Sequence, residues 1–220
     1  MKSIILFVIF IFSNLISFSQ GNEFEVQKQI YEKAKVYNDP GVAINSLYKM
    51  ISLQPNNIDL LDSLLREYLG VSRWPSVYMV SRDLLSKSPN NLFALEVSCM
   101  ALQNLGLKQQ ALNEYETLYL KTDRIDVLYT IAFLQYELKN YNESMNNLNI
   151  LLENKLADSI TVNVTKGNNS TQEVEMKSQL FYLKGIIFEE KNDKGNAIIQ
   201  FNNALKLSPN FENALNKLNE

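Results

Sequence analysis

The stretch Ser178–Phe211, SQLFYLKGIIFEEKNDKGNAIIQFNNALKLSPNF, decides the fold. Phe181, Gly185 and Phe188 fall at i, i+4 and i+7, and Ala197, Phe201 and Ala204 repeat that spacing. Each triplet has the period of one helix face. Asn192, Asp193 and Gly195 lie between them and read as a tight turn. Pro209 cannot continue the second helix and ends it. Two helices this short cannot bury their apolar faces alone. Small residues at Gly185, Ala197 and Ala204 let paired backbones approach closely, and Gly185 and Ala197 are expected to face each other.

The same punctuation recurs upstream. Pro55 closes a stretch over 24–57 that carries Ala43, Leu47 and Met50 in its second half. Pro89 closes 58–91, with Leu61, Leu65, Tyr68, Val77 and Leu84. Both prolines sit in nearly the same phrase, Ser52–Asn57 (SLQPNN) and Ser86–Asn91 (SKSPNN). A third stretch covers 92–125, with Leu95, Cys99, Leu102, a turn at Gly106, then Ala111 and Tyr115. A fourth covers about 125–158, with Leu128, Ala132, Tyr141, Ser144 and Leu148. The starts at 24, 58, 92, 125 and 178 step by 34, 34, 33 and 53 residues, so the last step holds an insertion.

This recurrence resembles the tetratricopeptide repeat, whose 34-residue pattern is aromatic-x2-L-G-x2-aromatic, then A-x3-F, then P. Numbered from Ser178, the family's positions hold Phe181, Lys184, Gly185, Phe188, Ala197, Phe201, Ala204 and Pro209. Only Lys184 departs, where the family prefers Leu. The resemblance implies an all-α fold, a right-handed α-α solenoid of about five helix pairs, each burying its face against its neighbours.

The insertion, about 159–177, interrupts the helical pattern. Ile160, Val162 and Val164 alternate with Thr161 and Asn163, and Val174 and Met176 alternate with Glu173 and Glu175. Two period-2 runs around a Gly/Asn-rich turn read as a β-hairpin between repeats four and five. Such a hairpin is marginal alone. It is expected to lean on a repeat through Ile160, Val162 and Val174. Residues 212–220 continue as a helix whose Ala214, Leu215 and Leu218 cap the last apolar surface.

The first 19 residues stand apart. Lys2 precedes an apolar run, Ile4–Ile16, and Ser17-Phe18-Ser19 puts small residues at the −3 and −1 positions. This reads as a secretory signal cleaved before Gln20, since the run is too short to span a bilayer comfortably. The mature domain is then 20–220, exported, periplasmic or in the cell envelope. It is expected to be soluble after cleavage, or peripheral to an outer membrane. The signal end and the Asn-rich sequence are similar to exported repeat proteins of Gram-negative bacteria.

Composition narrows the chemistry. Net charge is −3, and becomes −4 once Lys2 is removed; with no basic run this argues against nucleic acid as partner. The single Cys99 cannot pair within the chain and reads as a buried thiol. There is no histidine, which removes most general-base, triad and zinc schemes. No glycine-rich phosphate loop is present. The expectation is a non-enzyme with no catalytic residue, metal, cofactor or small-molecule substrate.

Function would then sit on a surface. In tetratricopeptide proteins positions 2, 5, 9, 12 and 13 of a repeat's first helix line a concave groove. Carried over, the first two repeats present charge, including Lys28, Glu32 and Lys35. The later repeats present Phe93, Glu96, Met100, Tyr129, Phe133, Tyr136, Tyr182, Ile186 and Glu189. Aromatic and Met residues at such positions mark a recognition surface. The family's Lys-and-Asn carboxylate clamp is absent, because Lys28 is followed by Glu32. The resemblance therefore implies a protein-interaction scaffold in the envelope that binds a peptide or helix. The alternative is a structural subunit of an envelope or outer-membrane assembly complex. Tyr129, Phe133 and Tyr136 leave two outcomes open: the hairpin covers them, or a partner does.

Overall fold

The computed structural model describes residues 22–167 and 169–219, so the expected signal segment Met1–Ser19 lies outside the described residues. The chain forms two compact bodies, one ending at Leu107 and one beginning at Lys108.

The N-terminal body contains α1 (22–36), α2 (Pro40–Leu53), α3 (Ile58–Gly70), α4 (Trp74–Lys87) and α5 (Leu92–Asn104). From α2 onward each helix packs on the next. Leu47, Leu64, Leu65, Val77, Leu84 and Ala101 meet in one core. One charge enters it. Glu67 is only 7% exposed, and it accepts from Lys35 Nζ at 2.7 Å and Tyr31 Oη at 3.3 Å. A buried carboxylate without such donors would be costly.

The C-terminal body contains α6 (Lys108–Thr122), α7 (Ile125–Glu137), α8 (Tyr141–Glu153) and a short 3-10 turn (Lys155–Ser159). Strands β1 (Thr161–Thr165) and β2 (Thr171–Glu175) follow, then α9 (Met176–Glu190), α10 (Lys194–Leu207) and α11 (Glu212–Asn219). Its helices also pack each on the next. Two hydroxyls let them approach closely while staying satisfied. Ser144 Oγ donates to Ala132 O, and Ser178 Oγ donates to Ala204 O, both at 2.8 Å.

The repeat is written in backbone geometry. Asn38, Ser72, Gly106, Lys139 and Asn192 all have positive φ, between 53° and 73°. They follow α1, α3, α5, α7 and α9, at the same steps of 34, 34, 33 and 53 residues. The residue after each donates its N–H five residues back: Asp39 to Ala34, Arg73 to Tyr68, Leu107 to Leu102, Asn140 to Gln135, Asp193 to Phe188. This is the Schellman closure, which satisfies the last carbonyls of a helix and reverses the chain. The proline phrase makes the other turn. Ser88 N–H bonds Leu84 O, Asn91 N–H bonds Ser88 O, and Asn91 Oδ1 then accepts from Ala94 N–H. Asn57 plays the same capping part for α3.

The hairpin forms where alternation predicts it, with Val162 opposite Val174 and Val164 opposite Gln172. Val164 and Val174 are buried with Ala204, Phe211 and Ala214, so the hairpin leans on the last repeat and the cap. Gln172 makes that contact specific. Its Nε2 donates to Asn210 O at 2.6 Å, and its Oε1 accepts from Glu212 N–H at 3.1 Å, at the start of α11. Asn213 Nδ2 donates to Thr165 O at 3.0 Å, and Lys166 pairs with Glu212.

Two expectations need correction. Met176 does not extend the strand. It opens α9, its N–H bonded to Ile160 O and its side chain in the core. The nearest side chain to Gly185 is Phe201 rather than Ala197. The three atoms nearest a Cβ placed there all belong to the Phe201 ring, which fills the space the glycine leaves. A large ring one turn further along α10 fills the gap that a pair of small residues would have left empty.

Candidate protein-interaction site

The expected groove residues fall on three first helices. In the N-terminal body, Phe93, Glu96 and Met100 lie on α5 at i, i+3 and i+7. Phe93 is half-buried against the core, and its outer face carries the Arg66 guanidinium 4.1 Å from the ring centre. That cation–π contact holds the ring in place while leaving the Arg66 charge at the surface. Arg66 is further fixed by Asp62, 2.6 Å away one turn earlier in α3. Met100 is exposed and Glu96 is half-buried.

In the C-terminal body the rings associate. On α7, Tyr129, Phe133 and Tyr136 are all half-buried, while Leu128, Ile131, Ala132 and Leu134 on the same helix are fully buried. The helix thus has one fully buried stripe and a second, aromatic stripe that packs against the same core with part of each ring in solvent. Phe133 and Tyr136 are 6.2 Å apart, and Tyr136 is 6.2 Å from Tyr141, the first residue of α8. The Schellman turn at Lys139 folds α8 back and brings Tyr141 to this end of α7. Tyr141 Oη also donates to Glu190 Oε2 at 3.3 Å, which ties the ring row to the end of α9.

Carboxylates border the rings. Burial raises the Tyr136 phenol above its ordinary value, and Glu190, Glu137 and Glu189 add to the rise while Lys217 opposes it. Glu137 is paired with Lys108 at 2.7 Å and Glu189 with Lys217 at 3.3 Å. The Tyr141 phenol is raised by desolvation and then by Glu190. The far end of α7 carries the Arg124–Asp126 ion pair. Burial raises the Tyr129 phenol, and a hydrogen bond with Gln179 pulls the other way.

On α9, Ile186 and Glu189 are half-buried, and Glu189 stands near Tyr136. Tyr182, also half-buried, has its ring 5.8 Å from Phe201 and 5.1 Å from Phe211, against the core under the cap. The structure therefore brings Phe133, Tyr136 and Glu189 together, while the Tyr182 ring packs with Phe201 and Phe211. Sequence reasoning placed Tyr141 among the packing residues of the fourth repeat and so missed its part in the ring row. Its position directly after the intra-repeat turn was the available signal. The site offers apolar rings with hydroxyls and carboxylates at their rim, a surface suited to holding a side chain or helix. Among the described residues no group of three His, Cys, Asp or Glu side chains could hold a metal.

No family model and no curated protein sequence matches the chain. Solved structures do. One is MamA, with a TM-score of 0.64 at 15% identity, covering 86% of this chain and 93% of that one. MamA from Desulfovibrio magneticus RS-1 aligns with a TM-score of 0.61 at 12% identity, over 88% of this chain and 99% of that one. YrrB, a tetratricopeptide-repeat protein with an unusual peptide-binding site, aligns with a TM-score of 0.66 at 12% identity, over 86% and 89%. With the recurring helix pairs, turns and small-residue contacts, these likenesses identify the fold of the chain as the tetratricopeptide-repeat fold.

Proposed function

We propose that this protein is an exported, non-catalytic scaffold of the cell envelope that binds a peptide or helix of another protein. One observation carries the reading: α7 presents Phe133 and Tyr136 half-exposed beside Tyr141 and the carboxylates of α9. Half-buried rings with a polar rim are the usual anchors of a protein interface. That YrrB has a peptide-binding site on the same fold supports the same use here. Export rests on Lys2, the apolar run and Ser17-Phe18-Ser19, with the mature chain beginning at Gln20.

The alternative, a subunit packed permanently through its second helices, would need a wide apolar patch on them. Those helices expose apolar residues singly or in small groups, such as Met79 on α4, Leu120 on α6 and Ile150 on α8. Scattered exposure of this kind is ordinary surface, so the groove reading is preferred.

The test is capture from an envelope extract, read by mass spectrometry, with wild type, Tyr136→Ala and Met79→Ala as baits. A partner held by wild type and Met79→Ala but lost by Tyr136→Ala supports the site. Equal retention by all three removes it.

A further inference from the structure

The repeats allow a comparison within one chain. In each repeat after the first, the third and seventh residues of the repeat lie on its first helix, which packs on the second helix of the repeat before. The packing pairs are α2 on α3, α4 on α5, α6 on α7 and α8 on α9. The seventh residue of repeat two, Leu64, is 2% exposed, and Ala94 and Ser98 in repeat three are 0%. In repeat four Val127 and Ile131 are 3% and 2%, and in repeat five Leu180 is 0%. Lys184, at the seventh position of repeat five, donates to Asn149 on α8. In repeat one the same positions are Val26 and Ile30, and they are 45% and 38% exposed. Tyr37, further along the same face, and Val42 on α2 are 73% and 41% exposed. The repeat-to-repeat interface thus continues onto an α1 face with no described helix upon it.

We propose that this face of α1 is a self-association surface, covered by α1 of a second copy lying antiparallel across a two-fold axis. The stripe complements itself. With the axis crossing the stripe at the height of residue 28, Val26 lies opposite Ile30 of the second copy, and Ile30 opposite its Val26. The same axis sets Glu23 beside Lys33 of the second copy, and does so twice. At 100° per residue, Glu23, Val26, Ile30, Lys33 and Tyr37 all fall within 60° of Ile30 around the helix. Glu23 and Lys33 are both exposed, and neither is ion-paired with another described residue. A two-fold contact uses one patch twice and closes on itself, so it yields a dimer rather than a filament. The surface lies on the N-terminal body, on a different helix from the α7 ring row, and the inference stands whether or not that row binds a partner.

The experiment is sedimentation equilibrium on the chain from Gln20 to Glu220, which keeps every described residue. Wild type should show a concentration-dependent approach to twice the monomer mass. Ile30→Glu should stay monomeric with an unchanged far-UV circular dichroism spectrum, since it places two carboxylates at the apolar centre. Glu23→Lys and Lys33→Glu should each weaken the dimer several-fold by like-charge contact. The double swap, Glu23→Lys with Lys33→Glu, should restore it, and it tests the register even if Ile30→Glu fails to fold. A wild-type monomer overturns the proposal and leaves the face to another protein's helix. A dimer indifferent to Ile30→Glu, or one that the double swap does not restore, overturns it equally.

Discussion

At the scale of single residues, Gly185 has the least room for a side chain among the described glycines. A Cβ there would overlap the ring of Phe201, which is 1% exposed and cannot swing into solvent. Gly185→Ala is expected to lower stability by about 1–3 kcal/mol through overpacking, despite the higher helix propensity of alanine. Chemical denaturation would measure it. A more stable Gly185→Ala would mean the ring has room to move. Tyr48 gives a pH-dependent case. Its hydroxyl shares a 2.8 Å hydrogen bond with that of Tyr68, and this bond, with burial, pushes its pKa from 10 to about 12. The folded value lies above the unfolded one. The contribution is therefore complete below pH 10 and is lost as pH rises from 10 toward 12. Melting temperatures across that window should fall less steeply for Tyr48→Phe than for wild type. Identical slopes would show that the hydroxyl pair carries no linkage.

At the scale of elements, the turns explain why some repeats are plainer in the sequence than others. Pro55, Pro89 and Pro209 punctuate repeats one, two and five in plain sight, and the Asn residues beside the first two act as the caps they resemble. Repeats three and four lack that proline. Their intra-repeat turns rest on Gly106 and Lys139, and only the first of these is a residue that signals positive φ from sequence. Lys139 holds φ 63° with no hydrogen bond or ion pair from its side chain to a described residue. A left-handed non-glycine residue costs about 1–2 kcal/mol, and glycine gives back about 0.5–1 in the unfolded chain. Lys139→Gly should therefore raise stability by a few tenths to about 1 kcal/mol. A loss would show that the turn uses the lysine side chain. The hairpin was legible because its alternation has a period of two, but its seat on the α10–α11 turn was not. Gln172 makes that seat with an amide that donates and accepts at once, and no periodicity announces such a residue. Gln172→Ala should cost about 1–2 kcal/mol, since it leaves the α11 terminus without a cap acceptor. Proteolysis at the hairpin would report the loosening, and unchanged resistance would show that the valines alone hold it.

At the scale of the whole molecule, period and spacing carried most of the fold, because a repeat states the same instruction several times. The surface was harder to read. Position within a repeat names the side of the helix, yet the neighbouring rings decide where each side chain goes. Tyr182 and Tyr136 are both half-buried at expected groove positions, but Phe201 and Phe211 border one while Glu190 and Tyr141 border the other. The central claim is that the aromatic stripe of α7 is surface rather than core. It can be tested without knowing the partner, by urea unfolding of Phe133→Ala beside Leu134→Ala. These are adjacent residues on one helix, half-buried and 0% exposed respectively. Leu134→Ala should cost about 2–5 kcal/mol, the range for a buried leucine. Phe133→Ala should cost less than about 2 kcal/mol, because only part of its ring leaves water on folding. A Phe133→Ala loss as large as that of Leu134→Ala would contradict the account.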